Sequence, residues 1–238
     1  MIRFSLFGIP VEVQPFFWIV MALLGRADRA DSREDFLAVA LFVIAAFISV
    51  LIHELGHALT GRKLGGGYAS IILTSFGGLA MNQGGRFTRH QRFLMIAAGP
   101  GAGFAFLLAI LVTLSLIFDS TDVIAFASRH LFGQGIPFKT FELMDFLEKK
   151  PFIHFFLADL LLINFWWGVL NLLPIMPLDG GQITDIYVKP QRRVFLIGLV
   201  AATAMSLFGF LKLGLYPGFF FGYFAWINYQ NMKSLNWQ

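Results

Sequence analysis

His53-Glu54-Leu55-Gly56-His57 stands inside an apolar run from Phe36 to Leu64. Histidines four residues apart share one face of a helix, a little over one turn from each other. That spacing lets both imidazoles grip one zinc ion, with Glu54 between them as general base on a water polarised by the metal. The competing reading is two core histidines beside a buried glutamate. Such a glutamate would have to protonate or find a cation, and Arg62, eight residues on, is too far along the helix to pair with it.

A catalytic zinc site takes three protein ligands and keeps one position open. The chain has no cysteine, so further ligands must be His or carboxylate. The candidates are His90, His130, His154, Asp159, Asp179 and Asp185. His154 and Asp159 precede Asp179 by about 20 residues, or about 30 Å if helical, and so fall near the opposite end of their helix. His130 falls in an outer loop and His90 in a basic one. Asp179 follows a Pro-Ile-Met-Pro break at the same depth as the histidine pair. Irregular backbone at membrane depth is tolerated only where protein or water satisfies it. The alternative for Asp179 is an ordinary helix-capping residue at the interface.

The elements that must position these groups read as membrane spans. The 238 residues are 57% hydrophobic and 13% charged, about half the charge of a soluble domain. The net charge of +4 comes from basic residues at the ends of apolar runs, which marks topology and argues against nucleic-acid binding. The N-terminus lacks the pattern of a cleavable signal peptide.

Residues Phe4 to Gln14 predict a small hairpin at the membrane surface, turning at Gly8-Ile9-Pro10. An apolar helix follows Pro15, from Phe16 to Leu24, and the motif helix runs from Glu34 to Lys63. Tyr68–Thr74 and Gly77–Gln83 are β-type pieces before the basic residues Arg86, Arg89 and Arg92. The next helix, Phe93 to Phe118, opens on the small residues Ala98 to Gly103, which let a neighbour approach closely. Asp119 to Pro151 is polar, with Phe141, Leu143, Met144, Phe146 and Leu147 suggesting a short interfacial helix; a partly ordered connecting loop is the alternative. A helix from Phe152 to Leu173 ends at Pro174, and Val194–Leu211 and Leu215–Ile227 are further apolar runs. The expected fold is an α-helical polytopic membrane protein of about six transmembrane helices with a small membrane-associated β element, one domain over residues 1–238. The Lys/Arg distribution places both termini and the motif end toward the cytoplasm.

His53-Glu54-Leu55-Gly56-His57, together with Asn171-Leu-Leu-Pro-Ile-Met-Pro-Leu-Asp179-Gly-Gly, resembles the site-two protease family of intramembrane metalloproteases. Members pair an HExxH motif with a later Asn-x-x-Pro-x-x-Pro-Leu-Asp-Gly motif. The Phe-Gly-Ile-Pro stretch, Phe76-Gly77-Gly78 and Ala98-Gly99-Pro100 extend the likeness over most of the chain.

The resemblance implies that His53, His57 and Asp179 bind one Zn²⁺ and that Glu54 is the catalytic base. The sequence departs from some members in having no insertion long enough for a PDZ domain and no CBS domain following, so a minimal form is expected. Asn164 and Asn171, seven apart on one helix face, are candidates to hold the substrate backbone or an oxyanion; pairing with neighbouring helices is the alternative. Gly77 and Gly78 are candidates to let an unwound substrate add to a strand edge; a plain re-entrant turn is the alternative. The implied substrate is a transmembrane protein in the lipid bilayer, trimmed beforehand by another protease and releasing a cytoplasmic fragment. The competing functions are a membrane zinc or ion transporter and a non-proteolytic scaffold that binds helices.

Overall fold

Phe7 and Gly8 both adopt positive φ, 52° and 73°. This two-residue turn closes an antiparallel hairpin of β1 (Ile2–Leu6) and β2 (Ile9–Val13). The turn falls earlier than the expected Gly8-Ile9-Pro10, and Pro10 lies within β2 opposite Ser5. Hairpin turns of this kind need positive φ at both central positions, a condition the ring of Pro10 forbids.

The hairpin is half of a larger sheet. β2 pairs in parallel with β3 (Tyr68–Thr74), and β3 pairs antiparallel with β4 (Gly77–Gln83). The strand order is β1-β2-β3-β4. Alternate residues of β2 and β3 point inward, and Ile9, Val11, Val13, Ala69, Ile71 and Leu73 are all buried. They pack against Phe17 and Met21 of α1 (Pro15–Leu24) and Val50, Leu55 and Ala58 of α2 (Arg33–Gly65). The computed structural model describes residues 1–75, 77–133, 135 and 137–235; Phe76 of the glycine-containing sequence match lies outside the described residues.

The helix start of α2 is set by a reciprocal cap. Ser32 Oγ accepts from the Asp35 amide at 3.1 Å, while Asp35 Oδ2 accepts from the Ser32 amide at 3.0 Å. The remaining helices are α3 (Arg89–Ser115), α4 (Ser120–Phe132), α5 (Glu142–Glu148), α6 (Pro151–Asn171), α7 (Asp179–Tyr187), α8 (Gln191–Phe208) and α9 (Leu215–Ser234). They fall in two compact units, one of Met1–Arg86 with Ala98–Gly168 and the other of Phe87–Ala97 with Val169–Gln238.

Among the described residues four helices are long and apolar enough to cross a membrane: α2, α3, α6 and Gln191–Leu213. α1 has ten residues, about 15 Å of helix, half of a hydrocarbon core. Leu108 on α3 is 61% exposed and Val200 on α8 62%, whereas Ser49, His53 and Glu54 of α2 are buried. Apolar side chains outside and ionisable ones inside are the arrangement of an integral membrane protein.

The segment from Asp119 to Pro151 holds more structure than its polarity implied. α5 is the expected short helix, but α4 precedes it. Asp119 caps α4 by accepting from the Thr121 amide at 2.8 Å, and Gly133 ends it in the left-handed conformation. A fully buried carboxylate, Asp122, holds the chain that returns from α4. It accepts from the Lys139 and Thr140 amides and from the Thr140 hydroxyl at 2.7 Å. Asp119 also accepts from Lys139 Nζ at 2.9 Å.

Desolvation pushes the Asp122 carboxyl up, but the Thr140 hydroxyl and the Lys139 and Thr140 amides together outweigh it, and its pKa falls below the usual 3.8. Lys139, with the Thr121 amide, lowers Asp119 in the same direction. A carboxylate lowered on folding stabilises the fold fully above its unfolded pKa and loses that contribution as pH falls through the lower folded value. The Lys139 and Thr140 amides should therefore exchange hydrogen slowly at pH 5 and lose protection only below the ordinary value of 3.8. Asp122→Ala should raise their exchange at pH 5 about tenfold; unchanged protection would show that these bonds do not hold the segment.

Candidate functional site

Ser49, His53 and His57 follow one another at four-residue spacing on one face of α2, with Glu54 beside them. Ser49, His53 and Glu54 are buried and His57 is half-buried, with the Nε2 atoms of His53 and His57 3.1 Å apart and their rings at 77°. Two nitrogens at about 2.05 Å from one metal stand about 2.9 Å apart at a right angle and about 3.3 Å apart at the tetrahedral angle. The observed spacing lies between these limits, so the pair fits a single metal ion.

Small residues are what let this face be covered. A Cβ on Gly99 of α3 would strike His57 Nε2, and one on Gly56 would strike the Ala98 carbonyl. α2 and α3 thus meet backbone against backbone at the motif, as the density of small residues in Ala98–Gly103 predicts.

On another side lies β4. A Cβ on Gly78 would run into the Glu54 side chain, and one on Gly61 into Asn82. Gly78 precedes Asn82 as Glu54 precedes Gly61, so β4 runs alongside α2 in the same direction. Gly77 takes a φ of 113° and lies under the Trp167 ring, whose Cζ2 is 2.6 Å from where a Cβ would be. β4 ends the sheet, so among the described residues its outer edge pairs with no strand. The β-type reading of Gly77 and Gly78 therefore stands as strand structure.

Asn164 is buried on α6 and donates to Ser49 Oγ at 2.8 Å and to the Leu160 carbonyl at 2.8 Å, leaving its Oδ1 without a hydrogen-bond partner among the described residues. Ser49 is one turn before His53, so Asn164 anchors α6 at the foot of the motif. Asn171 is the half-buried last residue of α6 and belongs to the second unit. So does Asp179, which is 6% exposed and begins α7 immediately after Leu178, the N-cap. Asp179 is therefore inside the helix and does not occupy the capping position.

Sequence reasoning passed over three positions. Ser49 and Trp167 read as ordinary helix residues until the packing is seen. Asn228 carried a signal: it is a lone buried amide in the phenylalanine-rich α9. It donates to the Met176 carbonyl at 2.8 Å and presses on Gly198, where a Cβ would strike its Oδ1. It thereby fixes the loop that leads to Asp179.

Paired imidazoles with an adjoining buried carboxylate are the residue types from which a metallohydrolase centre is built. Residues 41–213 match the family model of peptidase family M50, and the chain belongs to that family. It is 27% identical to a zinc metalloprotease of Methanocaldococcus jannaschii over 220 residues, 89% of this chain and 54% of that protein. It is 29% identical over 187 residues to a putative zinc metalloprotease of Synechocystis sp., covering 75% and 41% of the two chains. Stage IV sporulation protein FB of Bacillus subtilis is 27% identical over 184 residues, covering 76% and 48%. The chain thus spans about half the length of these curated relatives. The solved structure of a site-2 protease from M. jannaschii shares the fold, with a TM-score of 0.57 over 96% of this chain and 94% of that one at 24% identity.

Gly99→Ala should push the His57 ring aside and weaken metal binding about ten- to a hundredfold. Gly101→Ala, whose Cβ meets open space, is the control that should leave binding unchanged. Equal affinities for the two variants in a metal titration would show that α3 does not constrain His57.

Proposed function

We propose that this chain is an intramembrane zinc metalloprotease, acting as one domain over residues 1–238, that hydrolyses a peptide bond within or near a transmembrane helix of a membrane-protein substrate. The observation that carries this reading is the Glu54 carboxylate. It is buried beside two metal-spaced imidazoles and in contact range of Gly78 on an edge strand.

His53, His57 and Asp179 would hold one Zn²⁺ per chain. The spacing of the two imidazoles supports the first two ligands. The low exposure of Asp179, its place in the Asn-x-x-Pro-x-x-Pro-Leu-Asp-Gly match and the Asn228 clamp on its loop support the third. When bound, zinc supplies a Lewis acid that polarises the scissile carbonyl and makes a water acidic enough to react near neutral pH. Glu54 takes the proton from that water at its carboxylate and returns it to the leaving amine nitrogen.

A helical substrate shields its own peptide bonds, so the scissile segment must unwind. The open edge of β4 offers the unwound backbone hydrogen-bond partners inside the bilayer, and Gly77 and Gly78 present no side chain to block its approach to Glu54. Asn171, which stands in the family-like motif, would hold the substrate backbone. Asn164, whose amide hydrogens are already used, contributes to the substrate site by holding α6 against α2.

In this reading α1 and α9 bring the spans to six, with both termini and the site toward the cytoplasm of a cell-membrane protein. The basic residues Arg62, Lys63, Arg86, Arg89 and Arg92 on one side support that orientation. The substrate is trimmed beforehand by another protease, and the product is a fragment released to the cytoplasm.

Glu54→Gln keeps the shape of the side chain and removes the base. The variant should retain one zinc per chain while cleavage of a co-expressed single-span substrate falls by at least about 100-fold. Undiminished cleavage would overturn the mechanism, and metal flux through proteoliposomes with no cleavage in either form would favour a transporter.

A further inference from the structure

A second pair of imidazoles lies outside the HExxH motif. His130 of α4 and His154 of α6 face each other with Nε2 atoms 3.1 Å apart and rings at 75°. The separation equals that of His53 and His57 and falls within the same limits for two nitrogens on one metal ion. Ten residues separate His154 from Asn164, about 15 Å along α6, so this pair is independent of the motif on α2.

The tautomer of a neutral His130 is set by its hydrogen bond. Its Nδ1 is 2.9 Å from the Phe126 carbonyl oxygen, which can only accept. Nδ1 therefore carries the hydrogen, and Nε2 presents a lone pair toward His154. An imidazole whose far nitrogen donates to a backbone carbonyl is the arrangement that orients and strengthens a metal-binding histidine. Phe126 is fully buried and packs on both rings, at 4.3 Å from His130 and 5.6 Å from His154. The two nitrogens are thus held in place before any ion arrives.

We propose that His130 and His154 form a second metal site, for a divalent transition metal with affinity for imidazole, such as Zn²⁺, Ni²⁺ or Cu²⁺. Among the described residues no further His, Asp or Glu joins them as a third ligand. Both residues are half-buried, so water completes the coordination and the ion exchanges readily. The bound ion cross-links α4 to α6 and fastens the segment that Asp122 closes.

The test is Cu²⁺ and Zn²⁺ titration of the metal-stripped full-length protein in detergent. The wild type should show two classes of site. His53→Ala with His57→Ala should keep only the class at His130 and His154, and its Cu²⁺ electron paramagnetic resonance should carry hyperfine structure from two imidazole nitrogens. His130→Gln and His154→Gln should each weaken that class at least about tenfold and abolish the rise in thermal unfolding temperature that its metal produces, while the first class stays. His90→Gln should change neither class. Loss of all metal binding in the His53→Ala, His57→Ala variant would overturn the proposal, as would a remaining class that survives both His130→Gln and His154→Gln or disappears with His90→Gln. Because the readout is metal binding and not cleavage, it is unaffected by whether the proteolytic reading holds.

Discussion

A charged side chain at the centre of a bilayer costs about 3 kcal/mol or more, and α2 carries a carboxylate and two imidazoles on one face of an apolar helix. The rest of the first unit follows from covering that face. α3 closes one side at Gly56, Ala98 and Gly99, and β4 closes another at Gly78. Both neighbours approach so closely that they have no side chain at the point of contact. A methyl group at Gly99 would displace a nitrogen of His57, and one at Gly78 would displace the carboxylate of Glu54. These glycines are required by the polar groups beside them, because only bare backbone leaves room for an imidazole or a carboxylate against the next element.

The same constraint accounts for a sheet beside a membrane helix. Open sheet edges exposed to lipid are excluded, since each unpaired backbone group there costs several kcal/mol. β4 lies along α2, with Gly78 at Glu54 and Asn82 at Gly61, so protein covers that side of the strand. On the proposed reading the edge that stays open is where the substrate pairs, so the backbone groups of protein and substrate satisfy each other.

Much of this was legible in the residues. His53, Glu54 and His57 announce themselves by spacing, the strands Tyr68–Thr74 and Gly77–Gln83 by composition, and the break after α6 by its two prolines. The hairpin turn was not placed correctly, because Gly-Ile-Pro looks like a turn while the conformation is set by positive φ at Phe7 and Gly8. α4 was hidden by the polar stretches on either side of it, although Val123, Ile124, Phe126, Leu131 and Phe132 are apolar. Its ends at Asp119 and Gly133 were the readable signs. Contacts such as Asn164 with Ser49 join residues 115 apart in sequence, and no local pattern encodes which partner a buried amide will find.

Two imidazole pairs with the same 3.1 Å spacing show why a metal-spaced pair alone does not define a reaction. His130 is oriented by a backbone carbonyl, and among the described residues no carboxylate joins the pair as a third ligand, so an ion there would fasten helices. After His53 the next residue in the chain is a buried carboxylate, Glu54, and β4 lies against it at Gly78. The step from metal binding to hydrolysis therefore rests on Glu54 and on β4, which decide what proton moves and what backbone can be presented. On the proposed reading, the apolar helix that carries Glu54 means that this backbone comes from within the membrane.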